Sequence, residues 1–266
     1  MLSLREAFMI NSNILTPRDE RGVGYVFNIQ HYSVNDGNGI RTTIFFSNCK
    51  LRCKWCCNPE CFTKNEDVKI YTVSELINIL NNQFKFFKMN KGGVTFSGGE
   101  PLLQHAFINV LSKVLYDKAI NLAVETCGYF NFKRVEDVIK RLDLVFFDLK
   151  VISSDKHLFF TGKRNDLIID NFKRITCVND NVIVRIPVIC GVNSDEYNII
   201  ETAKLVRKYS RKPKIELLPY HEYGHDKYHK LGIKCSMGDF STPSPEYLNK
   251  LKSLIKEEGV DVVSYK

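Results

Sequence analysis

Thr42-Thr43-Ile44-Phe45-Phe46 runs without a break into Ser47-Asn48-Cys49-Lys50-Leu51-Arg52-Cys53-Lys54-Trp55-Cys56. The first five residues are β-branched or aromatic, the composition of a buried strand. The loop that follows spaces its cysteines C-x3-C-x2-C, so the end of one strand delivers three thiols to one place. The same arrangement recurs downstream. Val94-Thr95-Phe96 is a short strand that stops at Ser97-Gly98-Gly99, and apolar runs at 122–125, 144–147, 182–186 and 215–218 read as further strands. Helical patterns lie between them. Thr72-Val73-Ser74-Glu75 has the form of a capping box, and Val73, Leu76, Ile77, Leu80, Phe84 and Phe87 continue it at helical spacing. Leu103, Phe107, Val110, Leu111 and Val114 predict another helix, with more at 133–141, 165–177 and 195–209. Ser244 and Pro245 read as the cap and first position of a last helix that Gly259 stops, before a strand at 260–263. This alternation argues an α/β fold with a parallel sheet, open or closed into a barrel, and chemistry at the C-terminal strand ends.

The chain has 266 residues, 44% of them apolar and 26% charged, which excludes wholesale disorder. No run approaches the roughly 18 apolar residues of a membrane span. Residues 1–16 place Glu6 inside their apolar run and lack a basic start with a clean cleavage site, so no signal peptide is expected and a cytoplasmic protein is. The net charge of +8 is concentrated between Glu201 and Lys234, where nine basic residues face four acidic ones. On charge alone this is a solvated face, and no aromatic-basic pattern points to nucleic acid.

Nine cysteines, an odd number, with five inside 49–61, fit a metal or redox site better than a disulfide framework. Structural zinc sites close with four ligands. Three thiolates suit an iron–sulfur cluster that leaves one iron open, where a substrate's amine and carboxylate can bind. Cys61 keeps an alternative alive, as a fourth ligand for zinc or for a closed cluster, and Cys57 should point away from Cys56. Cys127, Cys177, Cys190 and Cys235 read as buried small hydrophobes.

Three further motifs follow strands. Gly98-Gly99-Glu100 combines close backbone approach with an acceptor carboxylate. Asp148-Leu149-Lys150 sends Asp148 and Lys150 to one side of an extended chain and Leu149 to the other. His221 follows Leu217-Leu218-Pro219-Tyr220.

In this order, from Gly24 to the end, the motifs resemble the radical S-adenosylmethionine (SAM) superfamily, and within it the activating enzymes of glycyl-radical enzymes, of which the pyruvate formate-lyase type is the best known. Asp36-Gly37-Asn38-Gly39-Ile40-Arg41-Thr42 resembles that family's N-terminal glycine loop, with Asn38 where proline is usual. Glu125-Thr126-Cys127-Gly128 stands where the family commonly has Asp-Thr-Asn-Gly, a segment that in some members helps bind a monovalent cation. Only 35 residues separate Cys56 from Gly92, too few for the ferredoxin-like insertion of many members, although Trp55-Cys56-Cys57-Asn58-Pro59-Glu60 looks like the loop of the inserted class.

The resemblance implies a partial (β/α)6 barrel over residues 22–266, with 1–21 as an N-terminal arm or extra strand. It implies one 4Fe–4S cluster on Cys49, Cys53 and Cys56. SAM would be held by Trp55, Cys56, Cys57, Gly98, Gly99, Glu100, Asp148, Lys150 and His221, with Trp55 near the adenine. The implied activity is an anaerobic oxidoreductase that draws hydrogen from a backbone glycine of a large partner enzyme. A low-potential reductant such as flavodoxin or ferredoxin is expected, with a monomeric chain and neither nucleic acid nor membrane as partner. On charge alone, Arg41 and the basic residues near Lys227 are expected to help dock the partner. Two other readings stay open: a radical SAM enzyme acting on a small molecule or nucleotide, and a non-enzymatic zinc or iron–sulfur protein.

Overall fold

The computed structural model describes residues 22–62, 65–235 and 240–265; the expected arm at 1–21 lies outside the described residues. The chain runs β1 (Val23–Ser33), β2 (Arg41–Phe46), β3 (Lys69–Thr72), α1 (Val73–Asn81), α2 (Phe84–Asn90), β4 (Gly93–Gly98), α3 (His105–Asp117), β5 (Asn121–Thr126), α4 (Glu136–Arg141), β6 (Leu144–Asp148), α5 (Ser154–Thr161), α6 (Asp166–Val178), β7 (Val182–Val188), α7 (Glu196–Tyr209), β8 (Lys214–Pro219), α8 (His225–Lys230), α9 (Pro245–Glu257) and β9 (Asp261–Val262). The strands form one sheet in the order β3-β1-β2-β4-β5-β6-β7-β8-β9. From β2 to β9 every pairing is parallel, while β1 lies antiparallel between β2 and β3. Six parallel strands with outer helices make the expected partial (β/α)6 barrel, flanked by β1 and β3 on one side and β9 on the other. Among the described residues no helix is long and apolar enough to cross a membrane.

Strand alternation divides the core into two layers. Val124, Val145, Phe147 and Val184 belong to the large apolar layer under the helices, while Ala123, Leu144, Phe146 and Ile183 form a small cluster on the inward face. Consecutive buried phenylalanines, Phe146 and Phe147, are what a strand covered on both faces requires. Much of the rest of the inward face is polar. Arg41, at 0% exposure, donates to Thr95 Oγ1 at 2.7 Å, Asn121 Oδ1 at 2.8 Å and the Val94 carbonyl at 2.8 Å. Burial lowers its pKa to about 10, against the pull of Asp143, Asp36 and Glu125, so it stays charged at neutral pH. Arg41 is therefore a strut across the barrel floor and not a docking residue, because no part of it reaches solvent.

The Thr72 capping box is formed, with the Glu75 amide bonded to Thr72 Oγ1 and the Thr72 amide to Glu75 Oε2. The helix it starts is shorter than expected. Phe84 and Phe87 sit on α2, a separate helix, after a break at Asn82 and Gln83; asparagine has poor helix propensity and favours helix ends. On α3 the buried positions are Phe107, Ile108, Leu111, Ser112 and Leu115, and Val110 is exposed, so the predicted stripe is turned by part of a helical turn. Ser244 caps α9 through the Tyr247 amide, and Gly259 takes a left-handed φ of +74° at its end, as expected. Four elements carried too little pattern to be read: β1, β3, α5 and α8.

Candidate active site

The upper ends of the parallel strands open onto a cavity of about 240 Å³. Inward strand residues form its floor and walls: Ser97 of β4, Glu125 of β5, Asp148 of β6, Arg185 and Pro187 of β7, and Leu218 of β8. The cysteine loop covers one side with Cys49, Leu51, Cys53, Trp55, Cys56 and Cys57, while Tyr220 and His221 rim the other. Of the expected site residues, only Glu100 fails to line this cavity.

The loop is held open by other parts of the fold. Arg52 N donates to the Thr161 carbonyl at 2.7 Å and Lys54 N to the Phe160 carbonyl at 3.0 Å, so the end of α5 serves as its backing. Asn48 N donates to the Cys61 carbonyl, and Glu100 N to the Asn48 carbonyl at 2.8 Å. On the α8 side, Tyr228 Oη donates to the Cys56 carbonyl at 2.9 Å, and Lys227 Nζ reaches the Cys57 carbonyl at 3.1 Å and Glu60 at 2.8 Å. Lys227, expected to dock a partner, is thus engaged within the chain as a clamp on the cysteine loop.

Gly98 and Gly99 line the cavity, yet the space their missing Cβ atoms leave is taken by protein. A Cβ on Gly98, whose φ is +110°, would meet the Phe46 amide and carbonyl at 2.4 Å, and one on Gly99 would meet the Asn48 carbonyl at 2.2 Å. The two glycines let β4 pass under the root of the cysteine loop. Glu100 is fully buried. Its carboxylate accepts from Leu102 N at 3.1 Å, Thr126 Oγ1 at 2.7 Å and Cys127 N at 2.8 Å. The side chain expected beside an ammonium group does not line the cavity here; its bonds tie the turn after β4 to the end of β5. Burial pushes its pKa up and these hydrogen bonds oppose the rise.

Asp148 and Lys150 both face the cavity and pair at 2.8 Å, with side-chain exposures of 27% and 13%, while Leu149 points into the core. Burial disfavours the Lys150 charge, but Asp148 and Cys53 outweigh it and hold the ammonium above the ordinary lysine range. Trp55 is buried, its ring 6.1 Å from Phe160 and 6.2 Å from Phe240, in an aromatic wall that continues to Tyr220. His221 stacks on Tyr223 at 4.4 Å.

Arg185 is the site residue that sequence reasoning missed. It donates to Glu216 at 2.8 Å, to Glu125 and to the Asn35 carbonyl, with its guanidinium 3.5 Å from the Phe146 ring centroid. Its signal was there: one charged residue inside the apolar run 182–186 of a central strand. Glu125, in the segment that in some members of the family helps bind a monovalent cation, is engaged by Arg185 and by Ser97 Oγ at 2.5 Å. Burial pushes its pKa up and Arg185 opposes that.

Cys61 and Cys127 also line the cavity. The neighbouring Cys61 pulls the pKa of Cys56 down while its own is pushed up by Cys56 and by burial, and Cys127 is pushed up by Cys49 and by burial. Burial raises Cys53, against the pull of Lys150. Among the described residues no group of three or more His, Cys, Asp or Glu side chains is drawn together around one point. Cys49, Cys53 and Cys56 line one wall of the cavity together with Lys150 and the apolar Leu51 and Trp55, a donor set that fits a multinuclear thiolate cluster. Cys127 behaves as the buried cysteine expected; Cys177 does not, because its place on α6 is exposed to solvent, and Cys190 and Cys235 are half-buried.

A family model described as a 4Fe-4S single cluster domain matches residues 35–169. The trans-4-hydroxy-L-proline dehydratase activating enzyme of Clostridioides difficile is 33% identical, over 87% of this chain and 95% of that protein. The pyruvate formate-lyase-activating enzyme of Clostridium pasteurianum is 33% identical, over 88% of this chain and 98% of that protein. The first alignment spans 289 positions, more than the 266 residues of this chain, and the second 235, so the first relative carries residues that this chain lacks. A crystal structure of a domain of a pyruvate-formate lyase-activating enzyme from Bacteroides vulgatus superposes with a TM-score of 0.53 at 32% identity, covering 65% of this chain and 98% of that one. Relatives at 33% identity, matched over most of both chains, show the family: the chain belongs to the radical SAM superfamily, in the family of activating enzymes of glycyl-radical enzymes.

Proposed function

We propose that this chain activates a glycyl-radical enzyme. When bound, one 4Fe–4S cluster and SAM supply a 5′-deoxyadenosyl radical that takes a hydrogen atom from a backbone glycine of the partner. The observation that carries the proposal is the convergence of Cys49, Cys53 and Cys56 with Gly98, Gly99, Asp148 and Lys150 around one cavity at the C-terminal ends of parallel strands.

Cys49, Cys53 and Cys56 hold the cluster. Lys150, fixed by Asp148, presents a charge that suits the SAM carboxylate. Backbone groups at Gly98 and Gly99 lie beside the cysteine loop, where the methionyl end of SAM would bind. Glu100 acts on this region through the Thr126–Cys127 strand end. Trp55, Cys57 and His221 complete the wall for the nucleoside. Leu51, Pro187, Leu218 and Tyr220 keep the cavity dry, which protects a carbon radical from side reactions. Residues 22–266 form the radical SAM core, and the chain works as a cytoplasmic monomer that draws electrons from a low-potential reductant such as flavodoxin or ferredoxin.

The test is anaerobic. The protein is reconstituted with iron and sulfide, reduced, mixed with SAM and assayed for 5′-deoxyadenosine and methionine, with Cys53→Ala beside it. Pyruvate formate-lyase and trans-4-hydroxy-L-proline dehydratase are then offered as partners, and a glycyl radical is sought by electron paramagnetic resonance. Product from the wild type alone, with a partner radical, is expected. A four-thiolate zinc spectrum and no product would overturn the proposal.

A further inference from the structure

The proposed chemistry needs two protein partners, the glycyl-radical enzyme and an electron donor. Each reductive cleavage of SAM consumes one electron, which the chain itself does not store. The partner's glycine must enter at the mouth rimmed by Tyr220 and His221. An electron donor that can work while the mouth is occupied must use another face.

The cysteine loop offers that face. Cys49, Leu51, Cys53 and Trp55 line the cavity, whereas the alternate residues Lys50, Arg52 and Lys54 do not. These three positive side chains thus belong to the part of the loop that does not line the cavity, and Arg52 donates to the Cys49 and Leu51 carbonyls at 2.6 and 2.8 Å. Two of them are held in place: Arg52 lies 4.7 Å from the Phe62 ring centroid and Lys54 lies 3.6 Å from that of Phe159, itself 66% exposed. Lys50 also belongs to an outer groove of about 600 Å³, formed with Leu103, Tyr129, Lys133 and Arg174. Asp170 is the acidic residue lining this groove, and it pairs with Arg174 at 2.9 Å. The face is cationic, partly aromatic and pre-ordered, a combination suited to a transient complex with an acidic partner.

We propose that the outer face of the cysteine loop and the adjoining Lys50–Lys133 groove dock an acidic one-electron carrier protein that reduces the cluster. The inference rests on the proposed cluster site of Cys49, Cys53 and Cys56. In the transfer the carrier is oxidised by one electron and the cluster reduced by one; no bond or proton moves. Donor and glycyl-radical partner bind different faces, so reduction proceeds while the partner is in place.

The experiment uses the reconstituted holoenzyme, anaerobic stopped-flow optical detection and reduced flavodoxin as the acidic carrier. Lys50→Glu/Lys133→Glu and Lys54→Glu/Lys133→Glu are compared with the wild type and with Lys85→Glu/Lys88→Glu, an equal charge change on α2 at the opposite end of the barrel. Photoreduced deazaflavin serves as a donor that needs no docking. At low salt both face variants should lose about tenfold or more in the second-order rate with flavodoxin, and their salt dependence should flatten. Their reduction by deazaflavin, iron content and SAM cleavage should match the wild type, and the α2 variant should behave as wild type throughout. Unchanged flavodoxin rates in the face variants, or an equal loss in the α2 variant, would overturn the inference. So would failure of flavodoxin to reduce a wild type that cleaves SAM with deazaflavin, which leaves the activating function intact. Absence of SAM cleavage with deazaflavin would instead sink the proposed function.

Discussion

The carboxylate of Glu100 accepts a 2.7 Å hydrogen bond from the hydroxyl of Thr126, which fastens the turn after β4 to the end of β5. With Leu102 N and Cys127 N as its other donors, Glu100 organises the cavity wall from behind. Glu100→Gln keeps the shape and removes one acceptor oxygen from buried donors. It should cost about 1–3 kcal/mol of stability, read from chemical denaturation of the anaerobic protein. Unchanged stability with weakened SAM binding would instead mean that the side chain meets SAM directly.

The ion pair of Asp148 and Lys150 sits in the cavity wall and not on the outer surface. Lys150→Met should weaken SAM binding about tenfold or more, which corresponds to about 1.4 kcal/mol. Iron content should stay at the wild-type level, because Lys150 is not a ligand. Equilibrium dialysis with labelled SAM measures the first and a colorimetric iron assay the second. Loss of iron in step with SAM binding would assign Lys150 to the cluster site.

Arg41 serves folding. Arg41→Ala leaves the Asn121 side chain and the Val94 carbonyl without their buried donor. A loss of about 3 kcal/mol or more is expected, seen as a lower denaturation midpoint. A stable variant that is defective only toward the partner enzyme would restore the docking role that its burial argues against.

Lys227 clamps the far end of the cysteine loop through the Cys57 carbonyl and Glu60. Lys227→Met should therefore speed iron release to a chelator, whereas Lys230→Met, at an exposed neighbouring position, should not. Equal rates in both variants would show that the clamp does not limit loop opening.

Thiol reactivity should follow burial and charge. Burial, with a further push from Cys56, raises the Cys57 pKa to about 12, against Lys227 and Lys150. Its thiolate is scarce at neutral pH and increases only as the pH approaches that value, because the raised pKa favours the protonated form below it. Iodoacetamide at neutral pH should label the exposed Cys177 before Cys57, as peptide mass mapping would show. Early labelling of Cys57 would mean that the cysteine loop opens in solution.

The sequence alone determined the parallel α/β architecture and most of the site. Strands buried on both faces must read as continuous apolar runs, helices on one face must repeat every three to four residues, and loop motifs after strands must meet at one end of the sheet. That local grammar put Cys49, Cys53, Cys56, Gly98, Gly99, Asp148, Lys150 and His221 at the ends of strands, and the resemblance to the radical SAM family singled them out as one site. It could not say where a side chain ends. Whether Glu100 faces the cavity or the β5 end, and whether Arg41 and Lys227 reach solvent, depends on residues far away in the chain. The Glu125–Arg185–Glu216 chain exists because β5 to β8 set those positions side by side on the inward face, a register that no single strand encodes. Likewise α5 and α8, short and weakly patterned, became visible only through their contacts with the cysteine loop. Backbone periodicity is local and legible; polar pairing across a barrel is a tertiary outcome, fixed by which buried donors and acceptors the closed sheet brings within reach.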